Sequence, residues 1–175
     1  MSREEFITVL FRLHNPDRLP TANPGRQSFT DVAADRWSFD AIEWAVTAGI
    51  IDAGTSAQIM PREALTRAEM AQMLARAEAW TTAAEDSFSD LEGHATADYI
   101  LKAVNAGVFL GFPDGTFRPD ATTTRFEVVT ALARYVFGGP VTDDMIAGVN
   151  FTLTDVPSTH WAALATVGFE APLPE

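Results

Sequence analysis

Apolar positions recur at helical spacing in three places along this chain, and each recurrence opens in the same way. In Leu65–Ala77, LTRAEMAQMLARA, the residues Met70, Met73, Leu74 and Ala77 fall at i, i+3, i+4 and i+7, which lines one helix face with apolar side chains. Phe6, Val9, Leu10 and Leu13 repeat the stripe earlier in the chain, and Val128, Ala131, Leu132 and Tyr135 repeat it later. Ahead of the stripes stand Ser2-Arg3-Glu4-Glu5, Thr66-Arg67-Ala68-Glu69 and Thr124-Arg125-Phe126-Glu127. A Ser or Thr followed three residues later by Glu makes a capping box, in which each side chain satisfies an otherwise orphaned backbone N–H. The pattern therefore predicts three capped amphipathic helices, with Ser2, Glu5, Thr66, Glu69, Thr124 and Glu127 in structural roles. Leu10, Leu74 and Leu132 keep the register, as do Arg12, Arg76 and Arg134.

A second pattern runs between the stripes. Phe29-Thr30-Asp31-Val32, Phe88-Ser89-Asp90-Leu91 and Leu153-Thr154-Asp155-Val156 each precede a short helical stretch, which Asp31, Asp90 and Asp155 are expected to cap, with a ligand contact as the second reading. Trp37 and Trp161 stand six residues after Asp31 and Asp155. Two of these stretches end at Gly49 and Gly107, suited to the left-handed position that closes a helix. After the second, Gly111-Phe112-Pro113-Asp114-Gly115-Thr116-Phe117-Arg118-Pro119 carries Pro-Asp-Gly turn chemistry, with Gly111, Asp114 and Gly115 as the loop formers. The unit is helix, turn-rich loop, capped helix, with a period near sixty residues. One domain over 1–175 is expected, containing the second half of a unit at 1–20, complete units at 28–80 and 87–138, and the first half of a unit at 150–175.

Arg3, Arg67 and Arg125 occupy the first helical turn, where the helix dipole disfavours a cation by ~0.3–1 kcal/mol. A capping box does not explain them. An anion docked at the helix mouth would use both the free N–H groups and the planar guanidinium fork. The alternative is that each arginine folds onto a surface carboxylate, contributing roughly 0–1 kcal/mol. The spacing alone leaves both open.

Composition narrows the choice. Twelve Lys and Arg against 24 Asp and Glu give a net charge of −12, which argues against nucleic acid or an anionic membrane surface, since both need a basic footprint. Anion binding must then be local. There is no cysteine, hence no disulfide or thiol chemistry. No apolar run reaches membrane-spanning length, and no membrane insertion is expected. Met1-Ser2-Arg3-Glu4-Glu5 lacks a secretion signal, so for an exported protein the signal lies outside this chain. His14, His94 and His160 are scattered without metal-ligand spacing, and no phosphate-binding loop, dinucleotide fingerprint or nucleophile elbow is present. Asp114-Gly115 lacks the acidic ladder of a calcium loop. No metal, cofactor or catalytic residue is expected.

In order, F-x-D-V, a downstream Trp, A-x-x-x-G-I, G-x-x-D-G-T-F-x-P and T-R-A-E resemble the S-layer homology family, over residues 29–77 and 88–135. The resemblance implies a mostly α-helical fold in which three units assemble with pseudo-threefold symmetry. It implies a non-catalytic module whose clefts hold exported proteins on the bacterial cell wall or surface by binding anionic wall polysaccharide, commonly pyruvylated, or a peptidoglycan-linked glycan. Arg3, Arg67 and Arg125 would grip the acidic substituent, Trp37 and Trp161 would face sugar rings, and Asp31, Asp90 and Asp155 would stand nearby. Departures qualify this expectation. The first complete unit has Ile51-Asp52-Ala53-Gly54-Thr55-Ser56-Ala57-Gln58-Ile59-Met60-Pro61 where the family's loop reads D-G-T-F-x-P, and the second lacks the Trp, with Tyr99 the nearest aromatic. Either the carboxy-terminal half-unit packs beside the amino-terminal helix and closes a third unit, or an upstream half-unit lies outside this chain. The alternative function is a self-assembly or cargo-binding scaffold with degraded glycan clefts.

Overall fold

The structure, a computed structural model, describes residues 1–15, 27–53, 58–140 and 142. Its regular structure consists of helices α1 (Arg3–His14), α2 (Phe39–Thr47), α3 (Arg67–Ala77), α4 (Ala97–Asn105) and α5 (Arg125–Phe137). The fold is mostly helical; among the described residues strand pairing is limited to isolated bridges joining Ser2 to Ala64 and Thr66 to Thr122. The third Asp motif, with Asp155 and Trp161, and the half-unit expected at 150–175 lie outside the described residues.

Helices α1, α3 and α5 each start in a complete capping box: Ser2, Thr66 and Thr124 accept from the N–H groups of Glu5, Glu69 and Glu127, whose carboxylates return to the cap backbone. Their apolar stripes meet in one core that includes Phe6, Leu10, Met70, Leu74, Val128 and Leu132. The three run in the same direction. Near their starts the bridges link them, and at the opposite end the Tyr135 hydroxyl donates to Glu78 Oε1 and lies 3.0 Å from His14 Nε2. Burial, reinforced by Glu78, raises the Tyr135 pKa well above the ordinary phenol value. The shorter helices sit outside this trio, α2 on α1 and α4 on α3.

Helices α2 and α4 start differently from the sequence expectation. Their N-caps are Ser38 and Thr96, neither of which makes a side-chain cap bond, and Asp31 and Asp90 cap neither helix. Instead, the Asp31 carboxylate accepts the backbone N–H groups of Ile59 (3.1 Å) and Met60 (2.7 Å), and Asp90 accepts those of Phe117 (2.8 Å) and Arg118 (2.7 Å). Met60 and Arg118 have φ of 52° and 60°, a left-handed backbone that opposes an L side chain by roughly 1–2 kcal/mol. Two charge-assisted hydrogen bonds per loop hold that conformation in place. The aspartates therefore fasten the loops that lead into α3 and α5.

Those loops in turn seal the neighbouring helix mouths. Arg3 and Glu4 donate their N–H groups to Glu63 and Pro61, both at 3.0 Å, while Arg67 and Ala68 donate to Ala121 (3.0 Å) and Pro119 (2.9 Å). The orphan N–H groups expected to meet an anion at α1 and α3 are thus already bonded to carbonyls. Any anion near those arginines must be met by side chains.

Candidate functional site: two unequal clefts

Each of two clefts lies between the first-turn arginine of one long helix, the loop after the neighbouring short helix, and the face of the next long helix. The first encloses about 380 Å³ and is lined by Arg3, Asp52, Ile59, Glu69, Gln72 and Arg76, among others. The second, about 800 Å³, places Arg67, Leu110, Glu127, Thr130 and Arg134 at the positions of Arg3, Asp52, Glu69, Gln72 and Arg76, in a wall made more aromatic by Phe109 and Phe112.

In both, the first-turn arginine is bonded inward. Arg3 reaches across to Glu69, with Nε 2.8 Å and Nη2 2.7 Å from Oε1, and its Nη1 donates to the Ile59 carbonyl at 3.1 Å. Arg67 is only 6% exposed; its Nε donates to Phe117 O (2.8 Å), Nη1 to Glu127 (3.2 Å) and Nη2 to Leu110 O (3.2 Å). It also lies against the rings of Phe117 (4.6 Å) and Phe112 (4.8 Å). Burial lowers the Arg67 pKa, and Glu127 acts against that shift. A guanidinium carries five N–H donors, so these three bonds leave donors to turn toward the hollow. Arg125, at the start of α5, is exposed, and its side chain has no hydrogen-bond or ion-pair partner among the described residues.

The second arginine separates the clefts. Arg76 Nη1 pairs with Asp52 Oδ2 at 2.8 Å and its guanidinium lies 5.0 Å from the Tyr99 ring. Burial acts to lower its pKa, but the bonds to Asp52 and Tyr99 outweigh this and the net shift is upward. Arg134 is partly buried with no such partner among the described residues, and desolvation moves its pKa downward unopposed. Where Asp52 stands in the first cleft, Leu110 stands in the second. The first lining thus carries two guanidiniums against two carboxylates, and the second two against one.

The loop residues divide by role. Gly111 lines the second cleft, where an added Cβ would fall 2.1 Å from Phe88 Cε1, so the close approach of that ring requires glycine. Asp114 accepts the Thr116 hydroxyl (2.6 Å) and N–H (3.0 Å) and pairs with Arg118 at 2.7 Å, while Arg118 covers Phe112 at 3.9 Å. The Thr116 hydroxyl bond, followed by Arg118, lowers the Asp114 pKa to about 2. Gly115, at φ +78°, completes that turn. Trp37 is 57% exposed but lines neither cleft. Among the described residues no group of His, Asp and Glu could hold a metal ion, and no helix is long and apolar enough to cross a membrane.

Sequence reasoning aligned Arg76 and Arg134 but did not place them in a site. The available signal was their spacing: each stands nine residues after the first-turn arginine of its own helix. At about 3.6 residues per turn, nine residues end roughly half a turn away. The two arginines of one helix therefore face opposite sides, and each cleft receives one from each adjoining helix.

This arrangement defines a class: a helical repeat module with arginine-lined surface clefts between units. The S-layer homology domain profile matches residues 28–71 and 87–129, and the chain belongs to the S-layer homology family. It is 28% identical over 93% of its length to a cellulosome-anchoring protein of Acetivibrio thermocellus, covering 36% of that protein. An S-layer protein of Bacillus thuringiensis subsp. finitimus is 33% identical over 65% of the chain, and an amylopullulanase of Thermoanaerobacterium thermosulfurigenes is 28% identical over 75%. The chain spans 14% and 7% of those two proteins, so the similarity concerns one part of larger molecules.

Proposed function

We propose that this chain is a non-catalytic module that holds a protein at the bacterial cell surface by binding an acidic wall polysaccharide, with a pyruvate carboxylate as the group recognised. The observation that carries the reading is the second cleft, where guanidiniums line an apolar hollow of about 800 Å³ in a protein of net charge −12. A small carboxylate beside a sugar ring suits such a site, because the cation meets the charge while the aromatic wall accepts the apolar face. Similarity to an anchoring protein and to an S-layer protein supports a surface role, and the amylopullulanase supports the view that such a segment accompanies separate cargo domains. The acidic surface predicts slower association with a polyanion and binding that depends on salt.

The test is retention of the full chain on purified wall polysaccharide before and after mild acid removal of pyruvate. Treating the polysaccharide leaves the protein fold untouched. Retention should fall at least tenfold after treatment; equal retention on both materials overturns the carboxylate reading. Arg67→Ala provides a second arm, with circular dichroism checking the fold.

A scaffold reading draws on one observation, the exposure of Trp37 outside both clefts. It predicts concentration-dependent oligomers in sedimentation that Trp37→Ser abolishes. A monomer at all concentrations excludes self-assembly through that face.

A further inference from the structure

We infer that the residue at position 52 in one cleft and 110 in the other decides which cleft accepts an anion: Arg134 and Thr130 form a carboxylate subsite in the second cleft, while Asp52 closes the first. The inference rests on the acidic-glycan reading and specifies where and how it operates.

Three observations support it. The first is the pairing difference. Asp52 holds the Arg76 guanidinium and also presents its own negative charge to anything entering, whereas Leu110 leaves Arg134 unclaimed among the described residues. An exposed pair such as Arg76–Asp52 contributes little to stability, but a carboxylate at that position still repels a second one. The second is an unsatisfied hydroxyl. Thr130 lines the second cleft, is 7% exposed, and its Oγ1 is buried without a hydrogen-bond partner among the described residues. Thr8, at the matching turn of α1, donates instead to the Glu4 carbonyl at 2.8 Å. Buried polar atoms are usually satisfied, and a hydroxyl beside a free guanidinium is placed to donate to an acceptor held there. The third is the wall. Phe109, Leu110, Phe112 and Pro113 line the same hollow. They favour a singly charged carboxylate on an apolar carbon over a strongly hydrated dianion.

The ligand chemistry is therefore a carboxylate with an adjacent methyl or ring carbon, whether borne by a sugar or free as a small 2-oxo acid. The first-turn Arg67, committed to Phe117, Glu127 and Leu110, secures the wall. Arg134 meets the ligand.

The experiment is a titration of the intact chain followed by NMR at the arginine Nε–H and threonine methyl resonances. The probes are a methyl hexoside bearing a pyruvate ketal, its methyl ester, and sodium pyruvate. In the wild type, Arg134 and Thr130 should shift with the ketal acid and Arg76 should not, and the ester should bind at least tenfold more weakly. Binding of sodium pyruvate equal to the ketal acid would assign the subsite to the free acid. Leu110→Asp should weaken ketal-acid binding at least tenfold, and Asp52→Leu should add a second binding event seen at Arg76. Leu110 is 56% exposed and the Asp52 side chain 75%, so neither change disturbs the core.

Equal binding by wild type, Leu110→Asp and Arg134→Gln overturns the inference, as does a wild-type shift at Arg76. Pyruvate-dependent retention on wall polysaccharide that is undiminished in Leu110→Asp sinks the inference while the anchoring reading stands. Absence of both probe binding and polysaccharide retention in the wild type overturns the two together.

Discussion

At the seam between α1 and α2, Glu4 is 5% exposed and its carboxylate receives Arg36 Nε (2.7 Å), Arg36 Nη2 (2.8 Å) and the Ser38 hydroxyl (2.6 Å). At the matching seam between α3 and α4, the place of Glu4 is taken by Ala68 and that of Arg36 by His94, whose ring turns to Thr96 (3.0 Å) and the exposed Asp120 (3.4 Å). The first unit also buries Glu43, which accepts both the N–H and the hydroxyl of Ser28. The second carries ionic pairing in its exposed loop, between Asp114 and Arg118. Two units with the same backbone plan are thus held by different chemistry: buried charge at the first outer helix, small and apolar contacts with a charged loop at the second. The contrast extends to the clefts, where the first neutralises its second arginine and the second leaves it available.

Breaking the first seam should have the largest effect. Glu4→Ala leaves Arg36 and the fully buried Ser38 without their acceptor, and removing one partner of a buried pair costs about 3 kcal/mol, a loss that urea unfolding would read directly. A cost below about 1 kcal/mol would show that apolar packing holds the first seam as it does the second. Acid sharpens the test. The Arg36 bond holds the Glu4 carboxyl below its ordinary 4.5, so its stabilisation is complete above that pH and is lost as pH falls through the lower folded value. Wild type minus Glu4→Gln should therefore narrow below about pH 4.5, measured by unfolding from pH 7 to 3.

Next in size are the loop-fastening aspartates. Asp31→Asn and Asp90→Asn each replace one acceptor oxygen by an amide that faces a backbone donor, at a cost of about 2 kcal/mol for a charged hydrogen-bond pair. The second loop has further bonds, Phe112 N–H to Thr116 O at 2.8 Å and Ser89 N–H to Gly115 O at 3.0 Å. Urea unfolding reads both costs, and a loss below about 0.5 kcal/mol for either variant would show that its loop keeps the left-handed residue in place without the charge. Gly111→Ala follows at about 1 kcal/mol, as Phe88 is displaced from its edge-on contact with Phe117; thermal unfolding and the Phe88 ring resonances check it.

The helices were legible because apolar period and caps are local signals: Met70 through Ala77 and the Thr66–Glu69 box need no knowledge of the rest of the chain. The aspartates were harder to read. An Asp before a helical stretch has a local explanation as a cap, and nothing local reveals that Asp31 and Asp90 bond backbone groups 28 and 27 residues away. Arg3 and Arg67 were conspicuous against the helix dipole, yet their ion partners Glu69 and Glu127 lie 66 and 60 residues away, and the same glutamates have a complete local role in the capping boxes. Each works twice, once for its own helix and once for the neighbour. The difference between Asp52 and Leu110 is written plainly in the sequence but acquires meaning only when Arg76 and Arg134 are known to face those positions.

The smallest effect belongs to the exposed loop, and it tests whether loop charge shapes the second cleft or merely decorates it. Asp114 is exposed, so Asp114→Ala should leave the unfolding transition nearly unchanged. Its carboxylate nevertheless orders the turn through Thr116 and anchors Arg118 over Phe112, which forms part of the cleft wall. Removing it should speed amide exchange at Gly115 and Thr116 severalfold and broaden the Phe112 ring resonances. The folded pKa of about 2 lies below the ordinary 3.8, so the wild-type loop keeps these bonds as pH falls through 3 and loses them as pH approaches 2. After correction for intrinsic exchange, the wild-type and Asp114→Ala amides should therefore differ at pH 4 and converge near pH 2. Equal exchange at both pH values would show that Pro113 and Gly115 fix the turn without the charge, leaving Leu110 and Arg134 to distinguish the two clefts.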